Sequence, residues 1–260
     1  MLEKIIEIVR NASELMKEDI TVMQKGTESN LVTSADVKVQ QYLQKHLSEL
    51  LPESGFVGEE NEEEIVYKEY MWVVDPIDGT TNFIRGMKAS AISVGLMKDN
   101  EPYIGVIYEP YKDEMFWAKR GCGAFVNGKQ MHVSDKPLKN SLLCAAASLY
   151  NKDLAKTCFN VIERVYFQSD DIRRFGSAAA EMAYLAAGRV DLYFEIRLFP
   201  WDMAAAIVII EEAGGYVELI HEENLPLDRP CGIFAANSKE SLDVLREIVY
   251  DEIPHKMYEN

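Results

Sequence analysis

The chain has 260 residues, of which 48% are hydrophobic and 27% are charged, a composition typical of soluble globular proteins. Asp and Glu number 43 against 27 Lys and Arg, which gives a formal net charge of -16. Such an acidic surface repels nucleic acid and anionic lipid, so we expect neither nucleic acid nor a membrane as a partner. The scattered cysteines indicate neither a zinc site nor a disulfide framework, and the N-terminus is not a signal peptide; both features favour a cytoplasmic protein.

Residues 1–137 carry the signals of two helices followed by a largely antiparallel sheet. Apolar residues at helical spacing predict a helix at the N-terminus, and a second helix is predicted to begin near Ser34 and end at Pro52. Strands are predicted at residues 71–74, 89–97, 103–108 and 114–119. Polar turn residues at 98–101 and the Asn-Gly pair at 127–128 predict hairpins between neighbouring strands.

Residues 138–260 alternate between strand and helix signals, which is typical of an α/β arrangement. The predicted strands lie at 142–147, 190–194 and 233–236, and the predicted helices at 153–163, 177–187, 202–213 and 238–249. No Pro/Gly/Ser-rich linker separates the two halves. We therefore expect two sub-domains, 1–137 and 138–260, that share one continuous core.

The segment from Asp75 to Phe83 reads Asp-Pro-Ile-Asp-Gly-Thr-Thr-Asn-Phe and follows a short apolar strand. Asp75 and Asp78 supply carboxylate oxygens, which hard divalent cations prefer as ligands. Gly79 allows a sharp turn, and Thr80 offers a hydroxyl and an amide that suit a phosphate group. The segment favours a metal-dependent phosphatase, although a strand that ends in Asp-Pro or Asp-Gly is also an ordinary way to enter a turn.

A two-metal phosphatase needs further acids from elsewhere in the chain. The candidates are Glu59 or Glu60, within an acidic run at residues 59–64, and Asp202 at the start of a predicted helix. Each has an ordinary alternative explanation. Glu59 and Glu60 would simply belong to a solvated charged loop, and Asp202 would be a helix N-cap.

Four motifs follow one another along the chain. They are Leu-Val-Thr-Ser-Ala-Asp at 31–36, Gly-Glu-Glu at 58–60, the segment at 75–83, and Pro-Trp-Asp-Met-Ala-Ala-Ala at 200–206. Together they resemble the inositol monophosphatase family, within the wider lithium-sensitive, magnesium-dependent phosphatase superfamily, over essentially the whole chain. The resemblance implies a layered α-β-α-β-α sandwich of α+β and α/β character, with an antiparallel N-terminal sheet and a mixed α/β C-terminal half. One departure is Ala206, where the family commonly has glycine.

The resemblance implies a site that holds two to three Mg²⁺ ions. Glu59, Asp75 and the carbonyl of Ile77 would bind the first ion, and Asp75, Asp78 and Asp202 would bind the second, so that Asp75 bridges the two. A third, weaker ion would also use Glu59. Lithium would inhibit by displacing Mg²⁺ at the second position.

The resemblance also implies the catalytic roles. Asp36 and Thr80 would orient and deprotonate the attacking water, while Glu59 and Asp75 would contribute to catalysis through the ions that they bind. The backbone amides of Gly79 and Thr80 would cradle the phosphate group. The expected reaction is the hydrolysis of a small-molecule phosphate monoester, foremost myo-inositol monophosphate. The expected assembly is a homodimer.

Further residues would contact the substrate. The predicted contacts are Asp78, Gly79, Thr80, Arg174, Ser177, Ala178, Glu195 and Asp202. Arg174 and Arg197 would meet a second anionic group or pair with acids on the surface, and for Arg197 the surface pairing is preferred. Lys25 lies where the family often has a lysine near the metal ions, or it is an exposed loop lysine.

Other functions stay open on the sequence. The two arginines leave fructose 1,6-bisphosphate, or a bifunctional inositol and fructose phosphatase, as an alternative. A nucleotidase is less favoured, because Thr81-Asn82 stand where that branch has Lys-Glu. An alternative of another class is a regulatory binding protein of the transcription or translation machinery, although a pure binding protein would be free to lose its acids.

Overall fold

The computed structural model describes residues 1–17, 21–24, 31–61, 64–147 and 151–257, and the main elements of its N-terminal part are two helices and a seven-stranded sheet. The helices are α1 (Leu2–Ala12) and α2 (Ser34–Leu50), and an antiparallel pair of short strands, β1 (Val22–Gln24) and β2 (Leu31–Thr33), lies between them in the chain. The sheet runs in chain order through β3 (Gly55–Gly58), β4 (Tyr70–Asp78), β5 (Ala91–Lys98), β6 (Glu101–Glu109), β7 (Glu114–Lys119), β8 (Ala124–Val126) and β9 (Lys129–Met131). A short helix, α3 (Thr80–Ile84), follows β4.

The C-terminal part contains a five-stranded mixed sheet and four helices. Its strands are β10 (Leu142–Ala145), β11 (Asp171–Arg173), β12 (Leu192–Leu198), β13 (Tyr216–Ile220) and β14 (Cys231–Ala236), ordered β11-β10-β12-β14-β13. Its helices are α4 (Ala155–Tyr166), α5 (Ala178–Ala186), α6 (Pro200–Glu212) and α7 (Lys239–Glu252).

These elements form five layers. Helices α1 and α2 cover one face of the seven-stranded sheet, and α5 and α6 fill the space between the two sheets. Helices α4 and α7 cover the outer face of the five-stranded sheet. The predicted α-β-α-β-α sandwich with a mixed C-terminal sheet is confirmed, and the N-terminal sheet is antiparallel except where β3 pairs parallel with β4.

Strand β4 is buried on both faces because successive side chains point to opposite sides of a sheet. Met71 and Val73 belong to the core that contains α5 and α6, whereas Trp72 and Val74 belong to the core beneath α1 and α2. An unbroken apolar run is therefore what this strand requires. The sheet edge at its C-terminal end carries Asp75 and Asp78 into the interior of the protein.

Three local predictions need correction. Strand β4 does not stop at residue 74 but continues to Asp78, with an irregular register between Asp75 and Asp78 that accommodates the missing N–H of Pro76. The N-cap of α2 is Thr33 rather than Ser34, because the Thr33 hydroxyl accepts from the first-turn amides. No strand was predicted at β3, β11 or β13, which lie at the edges of their sheets.

Helix α6 lies unusually close to the seven-stranded sheet because two of the strands carry glycine where it crosses them. A Cβ added at Gly105 would stand 2.2 Å from the carbonyl oxygen of Ala205, and one at Gly95 would stand 3.0 Å from the Cβ of Ala204. Ala206 is fully buried in the same core. This close packing fixes the start of α6, and Asp202 with it, against the end of β4.

Within the described residues, no helix is both long enough and apolar enough to cross a membrane.

Candidate active site

Three carboxylates meet where β4 ends and α6 begins. Oxygen atoms of Asp75, Asp78 and Asp202 all lie within 4.8 Å of one another. Asp75 and Asp78 are buried, and Asp202 is partly buried. Residues from the two halves of the chain, more than a hundred positions apart, are thus brought into a single acidic cluster.

Local hydrogen bonds fix the direction of each carboxylate. One oxygen of Asp75 accepts from the amide of Ile77 at 2.9 Å, across the irregular part of β4. Asp202 is the third residue of α6 rather than its N-cap, and it accepts from the amide of Phe199 at 2.7 Å. Each of these contacts uses one oxygen of the carboxylate.

Asp78 is held by the C-terminal half of the chain. Its Oδ2 accepts from the hydroxyl of Ser177 at 2.5 Å and from the amide of Ala179 at 2.7 Å. Ser177 is also the N-cap of α5. The first turn of α5 therefore determines where this carboxylate points.

Burial and mutual repulsion make the cluster costly without a counter-charge. Burial raises the pKa of Asp75 well above its usual range, and the neighbouring charges of Glu59, Asp78 and Asp202 raise it further. Burial likewise raises the pKa of Asp202, and it raises that of Asp78 to about 6 against the opposing hydrogen bond from Ser177. A divalent cation would remove this penalty, and the oxygen-only donor set fits a hard ion such as Mg²⁺.

Of the two candidate acids in the Gly-Glu-Glu motif, Glu59 lines the cavity above the cluster and Glu60 does not. Glu59 follows β3 directly, and its amide donates to the carbonyl of Val74 at 3.2 Å, which holds it beside β4. The amide of Glu60 donates instead to the side chain of Gln40 at 2.9 Å. Part of the acidic run, residues 62–63, lies outside the described residues.

Asp36 and Thr80 meet beside the cluster. The Thr80 hydroxyl lies 3.4 Å from Asp36 Oδ1 and 3.0 Å from the carbonyl oxygen of Ile77. The other oxygen of Asp36 accepts from the amide of Thr33 at 2.8 Å and from its hydroxyl. Burial raises the pKa of Asp36 to about 6 in spite of these hydrogen bonds.

Gly79 connects β4 to α3 in the left-handed conformation, with φ of 86°. Glycine adopts this conformation without the clash that a Cβ causes. The turn places the backbone of Gly79 and Thr80 in the wall of the cavity beside the acids. The backbone amides of Gly79 and Thr80 are the groups predicted to bind the phosphate.

A cavity of about 350 Å³ opens above the cluster. Besides the groups already described, its wall contains Arg174, Ser177, Ala178, Glu195 and Arg197. Among the predicted site residues that the structure describes, all except Asp36 and the alternative candidate Glu60 line it, and Asp36 reaches it through Thr80. Lys25 lies outside the described residues.

The polar groups in the wall differ in their surroundings. Glu195 accepts from the Tyr193 hydroxyl at 2.9 Å, and burial raises the pKa of Glu195 to about 8. Arg174 is exposed, and its charge partly offsets this rise. The guanidinium of Arg197 stands 5.0 Å from the centre of the Phe199 ring, so it is a cation–π partner as well as a wall residue.

Sequence reasoning missed Glu181 and Asn82 as participants. Glu181 is 2% exposed and lines the cavity, and burial raises its pKa to about 7. An acid inside the run Ala-Ala-Ala-Glu-Met-Ala was a usable signal, because a charged residue amid small apolar ones on a buried helix needs a partner. The sequence analysis places Asn82 in a motif without a role of its own, whereas its side-chain amide donates to the carbonyls of Ala89 and Phe175 and so connects two loops of the site.

Comparison with known proteins agrees with this geometry. The model of the inositol monophosphatase family matches residues 1–253. The fructose-1,6-bisphosphatase/inositol-1-monophosphatase of Aquifex aeolicus is 34% identical over 233 residues, which cover 85% of this chain and 88% of the relative. The Nus factor SuhB of Xylella fastidiosa is 35% identical over 211 residues, which cover 81% of this chain and 75% of the relative.

A solved structure of similar fold is the IMPase of Thermotoga maritima. It superposes with a TM-score of 0.83 at 29% identity and covers 97% of this chain and 99% of its own. The similarity therefore extends over both sheets and all the layers rather than over an isolated motif.

Proposed function

Because this chain belongs to the inositol monophosphatase family, a family of metal-dependent phosphatases, we propose that it hydrolyses a phosphate monoester with Mg²⁺ and that its substrate is a myo-inositol monophosphate. The observation that carries the proposal is the meeting of Asp75, Asp78 and Asp202 at the floor of a cavity. Two buried acids and a partly buried third at this separation are strongly unfavourable alone and favourable around cations.

The residues present fit two Mg²⁺ ions, and a third, weaker ion belongs to the proposal. Glu59, Asp75 and the Ile77 carbonyl would hold the first ion, and Asp75, Asp78 and Asp202 the second. When bound, such ions neutralise phosphate charge and lower the pKa of water. By holding these ions, the acids would allow a site that otherwise repels phosphate to attract it.

The remaining steps belong to the side chains. Asp36 accepts the hydroxyl proton of Thr80, which leaves the Thr80 oxygen free to accept a proton from the attacking water. Asp36 is buried, which shields its carboxylate from bulk solvent. The amides of Gly79 and Thr80 hold the phosphate oxygens in line with that water.

The cavity wall suits a polyol as leaving group. The Glu195 carboxyl, with its raised pKa, can both donate to and accept from substrate hydroxyls near neutral pH. Ser177 and Ala178 provide the opposite wall, and Arg174 stands at the exposed rim. This mixture of hydroxyl-binding groups supports a sugar alcohol rather than an aromatic leaving group.

A second candidate is fructose 1,6-bisphosphate, alone or beside inositol phosphate. The observation that favours it is that Arg174 and Arg197 both line the cavity, where they would meet a second phosphate. The relative from Aquifex aeolicus bears the names of both activities.

A regulatory binding role is the candidate from another class, supported by the relative named as a Nus factor. The intact acidic cluster favours hydrolysis, since binding alone would not maintain three acids so close together. A cytoplasmic homodimer, inhibition by lithium, and sub-domains divided between residues 137 and 138 complete the proposal.

A substrate panel with Mg²⁺ tests the proposed specificity. Inositol 1-phosphate should release phosphate at least as fast as fructose 1,6-bisphosphate at equal concentration. Arg174→Ala should lower kcat/KM for the bisphosphate more than for the inositol phosphate, because only the bisphosphate offers a second anion. Much faster release from the bisphosphate would replace the first candidate by the second.

A further inference from the structure

The chain between β11 and α5 is held from one side by Glu181. Its Oε1 accepts from the amide of Phe175 and, at 2.8 Å, from the amide of Gly176. Glu181 lies in α5 itself, so the helix reaches back to grip the two residues that precede its own N-cap, Ser177. The pair Phe175 and Gly176 is called the α5 approach below.

The α5 approach is held from the other side by Asn82 in α3. The amide nitrogen of Asn82 donates to the carbonyls of Phe175 at 2.7 Å, Gly176 at 3.2 Å and Ala89 at 2.8 Å. Gly176 has φ of 81°, and a Cβ there would stand 3.0 Å from the same nitrogen. Both amides and both carbonyls of the approach are thus fixed by side chains that are themselves buried.

Two parts of the active site depend on this approach. Directly after it, Ser177 and Ala179 donate to the carboxylate of Asp78. Across from it, the phosphate-binding turn makes close contact, because a Cβ at Gly79 would stand 2.9 Å from the carbonyl oxygen of Gly176. A displaced approach would therefore move a predicted metal ligand and the phosphate cradle together.

An acid at position 181 is electrostatically unfavourable. Asp78 faces it as another acid, and the charge of Asp78 adds to burial in raising the pKa of Glu181. Removal of this acid would leave the amides of Phe175 and Gly176 without their acceptor. The hydrogen bonds of Glu181 to the α5 approach, rather than its charge, explain why an acid lies at this position.

We propose that Glu181 is a positioning residue that holds the α5 approach, so that Ser177 orients Asp78 for divalent cation binding. The inference rests on the proposed metal-dependent function. Glu181 acts only through the approach and Ser177 and does not itself ligate an ion. The essential feature of Glu181 is the oxygen Oε1, which accepts from the two amides. Glutamine, which keeps such an oxygen, should therefore substitute for Glu181, and alanine should not.

Calorimetric titration of the folded, metal-free protein with Mg²⁺ tests the proposal without substrate. Glu181→Ala should weaken Mg²⁺ binding roughly 10–100-fold, the range for residues that orient metal ligands. Glu181→Gln should stay within about threefold of the wild type, because its amide oxygen can accept both bonds. Wild-type affinity in Glu181→Ala would overturn the proposal.

Glu212 offers a matched control. It too accepts from two backbone amides, those of Gly121 at 2.8 Å and Gly123 at 2.7 Å, but these amides belong to a turn that does not line the cavity. Glu212→Ala should leave Mg²⁺ affinity unchanged. An equal loss in this variant would mean that removing any such carboxylate loosens the site, and would contradict a specific role for Glu181.

A double-mutant cycle tests the route through Ser177. Ser177→Ala should weaken Mg²⁺ binding, and adding Glu181→Ala should weaken it by no more than about a further threefold, because residues that act in series are not additive. Fully additive losses would contradict the proposed route. If Glu181→Ala does not fold, Glu181→Asp provides the test, since it keeps the charge but withdraws the oxygen from the two amides, and unchanged affinity there would overturn the proposal.

The two proposals fail in different ways. A wild-type protein that binds Mg²⁺ but hydrolyses no phosphate monoester would end the proposed function, while the Mg²⁺ affinities of the variants would still decide the role of Glu181. A wild-type protein that binds no divalent cation would overturn both.

Discussion

Asp36 faces two threonines, one with each carboxylate oxygen. Oδ2 accepts from Thr33 and completes the N-terminal cap of α2, while Oδ1 lies toward the hydroxyl of Thr80 in the active site. The cap fixes the carboxylate before any substrate arrives, which is the preorganisation that a general base requires. One residue therefore joins local helix formation to the proposed chemistry.

Removal of either member of this pair should slow hydrolysis without weakening metal binding. Thr80→Ala and Asp36→Asn should each lower kcat by about 10²–10⁴-fold, the usual contribution of general acid–base catalysis. Steady-state kinetics with saturating Mg²⁺, together with Mg²⁺ titration, separates the two effects. A variant that keeps its kcat, or that loses rate only through lost Mg²⁺, would contradict the assignment.

The raised pKa of Asp36 also predicts a pH dependence. A general base works only when deprotonated, so activity should rise with pH through about 6, the value to which burial raises the pKa of Asp36. The acidic limb of the pH–rate profile should disappear in Asp36→Asn, whose residual activity should be flat there. An unchanged limb in that variant would assign it to another group.

At the scale of elements, helix α6 and the sheet beneath it form one unit. The close approach of Gly105 to Ala205 leaves no space for a side chain, and α6 carries Asp202 on its first turn. Small residues along α6 are therefore a packing requirement of the site. The sequence showed this run as part of a motif but not the glycines that it requires on the neighbouring strands.

Gly105→Ala should accordingly destabilise the fold and disturb the metal site together. The added Cβ would stand 2.2 Å from a backbone oxygen, and such overpacking costs about 1–3 kcal/mol. Urea denaturation should show the loss, and Mg²⁺ titration should show weaker binding. Lys129→Ala, at an exposed strand position, is the control that should alter neither quantity.

Elements with a local signal were predictable and elements without one were not. Strand β7 was predicted at its observed bounds, and the hairpin at residues 98–101 formed as expected, because Asp99 and Asn100 tolerate the positive φ of its turn. Strands β3, β11 and β13 were not predicted; each is an edge strand that pairs with a neighbour on one side only. The acids of the motifs were predictable for their chemistry, whereas Glu181 and Asn82 depend on a loop contact visible only in three dimensions.

At the scale of the whole molecule, buried acids accumulate where the layers meet. Burial raises the pKa of Asp78 to about 6, of Glu181 to about 7 and of Glu195 to about 8. These groups hold protons in the folded chain that the unfolded chain has released. All three line the cavity of the candidate active site.

Stability of the metal-free protein should therefore fall as pH rises. A carboxyl whose pKa is raised in the folded state adds its full contribution to stability at pH values below its ordinary pKa. This contribution is lost as pH rises from about 4.5 through about 8. Thermal unfolding with a chelator should give a lower Tm at pH 8 than at pH 5.5, by several degrees. Added Mg²⁺ should raise the Tm mainly at pH 8, and a chelated protein that is equally stable at both values would contradict this electrostatic picture.

The most direct test of the two-metal account is Asp75→Asn, because Asp75 is the proposed bridge between both ions. Phosphate release from inositol 1-phosphate should be measured at saturating Mg²⁺, with thermal unfolding to verify the fold. The account predicts a folded variant whose activity is at least about 100-fold lower and whose Mg²⁺ binding is weakened. A folded Asp75→Asn variant with unchanged phosphatase activity would contradict it.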